Sequence, residues 1–315
     1  MDYIILVIAL VAVVFGANKL VSGSADIARR FKISDFVIGA IIVGVGTSLP
    51  ELIVSCMGAF EGKVDVAIGN VVGSNIFNIF AILGITALLH PVAVNSKNNR
   101  FELPLCIAAS IFATILVFNF FRGDEVVIGR VDGLLLLTIF ILYIYASFLR
   151  DRKAGSVEQT ESVEIAPLPR AIIRTIVGLV VLITGCNYFV DSAVNIATAW
   201  GVNEAFISIT LIACGTSLPE LAASIAAAAK RNTELALGNV VGSNIFNITF
   251  ILGLSSQITP LSGGAITIVD YGVMIGAAVL LLLFSLNNRI SRKEGAVMVA
   301  CFVAYNIYLI STQTL

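Results

Sequence analysis

The chain has 315 residues, of which 58% are hydrophobic and 12% charged, with a net charge of −1 and a mean hydropathy of +1.00. Soluble domains carry about 25% charged residues, so this composition excludes an ordinary soluble protein, and the lack of a basic surplus excludes nucleic acid as a partner. The apolar residues form continuous runs, as in Leu134–Leu149 and Met274–Leu286, which favours spanning helices over the alternating strands of a membrane barrel.

Ten spans are expected, at roughly 3–21, 36–60, 66–89, 102–121, 126–148, 171–191, 205–229, 235–258, 265–285 and 295–312. The first begins at Tyr3 with no basic residue before it, so it reads as a helix that stays rather than a signal peptide. His90, before Pro91, marks a helix end. One long polar stretch, 151–170, divides the chain into residues 1–150 and 171–315, with five spans each. Cys56, Cys106, Cys186, Cys214 and Cys301 all lie inside apolar runs without a CxxC pair. They read as small buried side chains, neither disulfides nor metal ligands.

Placed on these spans, 14 of the 19 Lys and Arg fall on one face, 3 on the other and 2 in span ends. Basic residues gather in cytoplasmic loops. The expectation is a multi-pass cell-membrane protein with both termini outside and a cytoplasmic 151–170 linker.

Two blocks recur at an offset of 169. Gly46-Thr47-Ser48-Leu49-Pro50-Glu51-Leu52 returns at 215–221, and the eleven residues from Gly69 to Ile79 return at 238–248. An odd number of spans separates the copies, so the second crosses in the opposite direction. The fold class expected is therefore an all-α polytopic membrane protein with ten transmembrane helices as two inverted five-helix repeats, its site near the midplane between them.

Within the second span, Glu51 lies three residues past the midpoint of Asp35 and Glu61, about 4.5 Å along a helix; Glu220 stands in the same relation to Glu204 and Lys230. A carboxylate at that depth costs several kcal/mol unless paired, hydrated or protonated, and marks a functional site by default. Gly44, Gly46 and Pro50 favour a broken helix whose freed backbone lines a cavity. Ser48 and Glu51 also have capping-box spacing, so a purely structural cap competes with ligation. In the third span Asn70, Ser74 and Asn78 fall on one face, repeated as Asn239, Ser243 and Asn247. Gly69 with Gly73, and Gly238 with Gly242, read as helix-packing pairs. The hydroxyls of Thr47, Ser48, Thr216, Ser217, Ser74 and Ser243, the amides of Asn78 and Asn247, and the two carboxylates form an oxygen-rich set. Such ligands suit Ca²⁺ or Na⁺ rather than Zn²⁺ or Cu⁺. Two negative charges match one Ca²⁺, several Na⁺ in turn, or protons.

At these residues the sequence resembles the sodium/calcium exchanger family of the cation/calcium antiporter superfamily, in its compact prokaryotic form. The twofold GTSLPE and GNVVGSNIFN blocks look like that family's α-repeats. The resemblance implies Na⁺/Ca²⁺ antiport by alternating access at four adjacent cation sites, with no cofactor and no required protein partner beyond the lipid bilayer. It implies Glu51 and Glu220 as the main acidic ligands, joined by Thr47, Ser48, Ser74, Asn78, Thr216, Ser217, Ser243 and Asn247, with backbone carbonyls from Gly44 and Ala213. It further implies that the first and sixth spans slide as a pair. Many members carry Asp where this chain has Asn247, so the site here has one fewer ionisable group. Exchange of Ca²⁺ for H⁺ on the same fold is the alternative, ahead of a passive cation channel. An intramembrane enzyme has no Ser–His pair to work with, since the sole His is remote from the acids in sequence.

Overall fold

The computed structural model describes residues 1–95, 100–118, 127–153, 166–200, 215–262 and 266–313. Among these, the helices are α1 (Asp2–Phe31), α2 (Asp35–Thr47), α3 (Leu49–Phe60), α4 (Val64–Leu89), α5 (Glu102–Phe118), α6 (Arg130–Lys153), α7 (Leu168–Ala199), α8 (Leu218–Ala229), α9 (Thr233–Ile258), α10 (Ile268–Ser285) and α11 (Arg292–Gln313). Seven of them are long and apolar enough to cross a membrane. The α2–α3 pair passes the same test as one span bent by 46°, and α5 and α8 are shorter apolar helices.

Helices α4 and α9 form the centre, buried over 83% and 94% of their most apolar stretches, whereas α1 and α7 are buried over only 28% each. The difference follows from composition. The inner helices carry small and polar residues that satisfy one another, while α1 and α7 turn Ile4, Val11, Ile173 and Val180 outward, as lipid contact requires. The main apolar core runs through Ile76, Ile79, Leu83, Leu103, Leu136, Ile245, Ile248 and Leu281.

Helices α1 and α7 are longer than the sequence reading allows, at 30 and 32 residues against the expected 3–21 and 171–191. Past the expected end of α1, Gly23, Ser24 and Asp26 are buried, and Gly23 lies against Ala171 and Thr175 of α7. Gly16 and Gly178 bring the backbones together: a Cβ on Gly178 would lie 2.4 Å from the Leu20 nitrogen, and one on Gly16 2.5 Å from that of Leu182. Asp26 meets Arg174 at 3.2 Å, so neither polar group needs to end its helix.

The α-only expectation also missed four two-residue strands. β1 (Val92–Ala93) pairs antiparallel with β4 (Arg289–Ile290), and β2 (Val127–Ile128) with β3 (Leu261–Ser262). After α4 the chain turns extended at His90, with φ −138° and ψ 125°. Pro91 prevents the helix from continuing, and the released backbone pairs with the second half of the chain.

Candidate cation site

The site begins with the break between α2 and α3. Ser48 has φ −83° and ψ 10°, and Pro50 follows in the first turn of α3, where its missing N–H costs no helix bond. Ser217 repeats this geometry at φ −88° and ψ 7° before α8, with Pro219 in its first turn. Neither serine caps the helix it precedes. The capping reading therefore fails, because both hydroxyls are used elsewhere. Ser48 Oγ donates to Glu220 Oε1 at 2.7 Å, and Ser217 Oγ donates to Glu51 Oε1 at 2.8 Å. Each glutamate is held by the serine of the other copy.

The two carboxylates are 1% and 0% exposed. Their surroundings come from α4 and α9, which both loosen into π-helical turns starting at Asn78 and Asn247, a distortion common at functional sites. Asn78 Nδ2 donates to Asn244 Oδ1 at 3.0 Å, and Asn247 Nδ2 to Asn75 Oδ1 at 3.2 Å. Asn75 and Asn244 each donate in turn to the other's carbonyl, at 3.4 and 3.2 Å. This ring of bonds fixes which way every amide faces. Asn70 Nδ2 holds the Glu51 carbonyl and Ser55 Oγ, and Asn239 Nδ2 holds the Glu220 carbonyl and Ser224 Oγ.

Close approach makes the arrangement possible. Gly238 and Gly242 on α9 face the backbone of α2, and a Cβ on Gly242 would meet the Ala40 oxygen at 2.4 Å. Glycine is needed there because the helices cross almost in backbone contact. Ser243 Oγ donates to the Gly44 carbonyl at 3.2 Å, and Ser74 Oγ lies 3.1 Å from Ser217 Oγ. Thr47 Oγ1 sits 2.9 Å from the Val43 carbonyl and 3.2 Å from Asn239 Oδ1. Thr216 Oγ1 is 3.5 Å from Asn70 Oδ1. Eleven of the twelve expected site residues thus fall in three neighbouring hydrogen-bonded sets, one about each carboxylate and one of asparagines, all buried but the half-buried Thr216; Ala213 lies outside the described residues, as does Glu204.

Four oxygens in these sets have no hydrogen-bond partner: Glu51 Oε2, Glu220 Oε2, Asn78 Oδ1 and Asn247 Oδ1. An unsatisfied buried acceptor costs about 1–3 kcal/mol, and more when charged. A partner-seeking set of two carboxylate and two amide oxygens fits a hard cation. The four are oxygens of Glu and Asn side chains, with no imidazole or thiolate among them, a donor type that suits a hard cation better than a transition metal. Reasoning from sequence missed Asn75 and Asn244. Their signal was available, since each is a polar residue three positions before a suspected ligand within an expected span.

The sodium/calcium exchanger protein family model matches residues 1–149 and 170–311. A chain of Alkalimonas amylolytica named as an antiporter, CaxA, is 37% identical, with 98% of each chain covered. The sodium/calcium exchanger MaX1 of Methanosarcina acetivorans is 30% identical, again over 98% of each. A solved structure of the sodium-calcium exchanger NCX_Mj superposes with a TM-score of 0.84 at 33% identity, covering 98% of both chains. The chain belongs to the sodium/calcium exchanger family, whose members are membrane transporters rather than enzymes and carry Na⁺ and Ca²⁺ without a cofactor.

Proposed function

We propose that this member of the sodium/calcium exchanger family exchanges Na⁺ for Ca²⁺ by alternating access at the site between its two sequence repeats. The observation that carries the proposal is the set of four buried, unpartnered oxygens, two from each copy and all from acidic or amide side chains. Glu51 and Glu220 neutralise the cation. Asn78 and Asn247 add neutral oxygens. Ser48, Ser74, Ser217 and Ser243, the threonines Thr47 and Thr216, and the carbonyls of Gly44 and Ala213 complete the ligand set.

The repeat supports an inverted plan with ten crossings. Adding or subtracting 169 turns the Ser48–Glu220 bond into Ser217–Glu51, and Asn78–Asn244 into Asn247–Asn75. A pseudo-twofold axis between the copies accounts for this exchange of partners. The spans are α1, α2–α3, α4, α5, α6, α7, the span that includes α8, α9, α10 and α11, arranged as 1–150 and 171–315 about a cytoplasmic linker, with both termini outside. Helices α1 and α7 are the moving pair. They are only lightly embedded in the core, with 28% of the most apolar stretch of each buried, yet they are locked to each other by glycine contacts and by Asp26–Arg174. Their sliding would open the central site to each side in turn.

One observation favours a second coupling. With Asn at both 78 and 247 the site holds only two carboxylates, whose charge one Ca²⁺ or two protons would balance. Uptake of ⁴⁵Ca²⁺ into proteoliposomes loaded with Na⁺, K⁺ or choline, with and without a pH gradient, separates the two. Uptake that requires internal Na⁺ and responds to membrane potential supports Na⁺/Ca²⁺ exchange. Uptake that ignores Na⁺ and follows the pH gradient replaces it with Ca²⁺/H⁺ exchange. Uptake under neither gradient refutes both.

A further inference from the structure

Away from the central site, four helix ends converge on a cleft of about 400 Å³ where α4 and α8 stop and α9 and α11 start. It is lined by His90, Arg231, Thr233 and Arg289, among others. A second cleft of about 440 Å³ shares Pro91 and Arg289 with it and adds Arg292 and Lys293. Among the described residues, Arg231, Arg289 and Lys293 form no ion pair with a carboxylate, so the clefts are lined by basic side chains not held in a described salt bridge. The β1–β4 pairing fixes Arg289 against Ala93, and Val94 N donates to the Asn288 carbonyl at 2.9 Å.

Arg231 is the informative residue. It occupies the left-handed region at φ 59°, and the Arg231 and Asn232 N–H groups close the end of α8 by donating to Ala228 and Ala227 at 2.8 and 2.9 Å. The matching position 169 residues earlier is Gly62, at φ 71°, where Gly62 and Lys63 donate to Ala59 and Gly58 in the same turn. Glycine adopts this conformation without steric cost and arginine does not. The second copy therefore tolerates backbone strain that the first avoids, and what it gains is a guanidinium in the cleft. Beside the cleft, Leu88, Leu89 and Leu286 are 39%, 45% and 62% exposed, an apolar border at the level where helices leave the membrane.

The geometry points to an anionic phospholipid site, in which Arg231, Arg289, Arg292 and Lys293 take the headgroup phosphate and Leu88, Leu89 and Leu286 lie against the acyl chains. Arginine suits this role because its planar fork pairs bidentately with phosphate oxygens. Basic pockets between helix ends recognise lipid headgroups in this way. A soluble phosphate would use the same cations but gain nothing from the apolar border.

The test uses the full chain, purified in detergent and titrated with phosphatidylglycerol or phosphatidylcholine. Retained lipid is counted by native mass spectrometry, and unfolding is followed by heat. The wild type should retain phosphatidylglycerol over phosphatidylcholine and gain thermal stability from it. Arg231→Gly should retain it about fivefold less well, as the loss of one basic residue at a membrane surface implies. Its lipid-free melting temperature should be equal to or above that of the wild type, because glycine relieves the turn. Arg289→Gln should weaken retention similarly, while Arg30→Gln, on another helix end, should not. Unchanged retention in Arg231→Gly, or an equal loss in Arg30→Gln, would overturn the site. Protection of the wild type by inorganic phosphate at the same concentration as phosphatidylglycerol would overturn the lipid assignment.

Discussion

Replacing Glu51 by Gln tests the central site at the atom on which the reading depends. The side chain keeps its shape and an Oε1 that still accepts the 2.8 Å bond from Ser217. What changes is Oε2, the buried atom without a partner, which becomes an amide donor facing any cation held there. Removing one partner of a buried charge pair costs about 3–5 kcal/mol, which corresponds to roughly 150- to 4,000-fold in affinity. Glu220→Gln should behave alike, because its environment is the same set of contacts with the copies exchanged. Equilibrium ⁴⁵Ca²⁺ binding measures the loss directly, and thermal unfolding with and without Ca²⁺ separates it from misfolding. At 100 times its Kd, Ca²⁺ should stabilise the wild type by about 2.7 kcal/mol. The same concentration should stabilise either variant by less than about 0.5 kcal/mol, while cation-free stability does not fall. Ca²⁺ affinity within tenfold of wild type in both variants would refute the assignment of Glu51 and Glu220 as ligands.

Ser48→Ala and Ser217→Ala each strip a hydroxyl donor from a buried carboxylate and should lower cation-free stability by about 1.5–3 kcal/mol. Ser217→Ala should cost more, since its hydroxyl also meets Ser74 at 3.1 Å; denaturant unfolding in detergent checks both size and order. Gly242→Ala places a Cβ 2.4 Å from the Ala40 backbone, so α2 and α9 must separate. Overpacking of this kind costs about 1–3 kcal/mol, and exchange should be lost in proteoliposomes. Gly276→Ala, where a Cβ would meet no described heavy atom within 4 Å, should leave both stability and exchange unchanged. Asn247→Asp loses the donor that holds Asn75 Oδ1 at 3.2 Å and sets a carboxylate oxygen against it. The cation-free protein should be destabilised by about 1–3 kcal/mol, Ca²⁺ should stabilise it more than the wild type, and exchange should become more sensitive to pH. Unchanged cation-free stability would show that the asparagine ring does not orient residue 247.

The division of labour between sequence and structure follows the range of the interactions. Continuous apolar runs and the 169-residue offset are patterns of the chain alone, so most spans and the repeated polar residues that the fold gathers around the carboxylates could be read directly. The ends of α1 and α7 could not. Whether Gly23, Ser24 and Asp26 continue a helix depends on what lies across from them, and Arg174, which satisfies Asp26, is 148 residues away. The β1–β4 and β2–β3 pairs escaped for the same reason, being two residues long and joined across the halves of the chain. For the serines, the local signal pointed in the wrong direction. Ser48 and Glu51 have the spacing of a cap, and only the second copy, folded against the first, shows the hydroxyl bound to Glu220 instead.

That crossing explains why the two copies agree best in their polar blocks. A leucine facing lipid or filling the core can change with small cost if volume is kept. Ser48 cannot change without leaving an oxygen of Glu220 unsatisfied, and Asn75 cannot change without releasing Asn247. Each copy is thus constrained by its twin. The same bonds join α3, α4, α8 and α9 into one body around the carboxylates, while α1 and α7 are tied chiefly to each other. The exception is Lys230 at the end of α8, whose Nζ reaches the Asn18 carbonyl at 2.7 Å and Ser22 Oγ at 2.6 Å on α1. Its counterpart in the first copy is Glu61, which bonds its own neighbour Lys63. Symmetry therefore holds for the serine–glutamate and asparagine bonds around the site and lapses at the rim, where one end of the α1–α7 pair is strapped to the body.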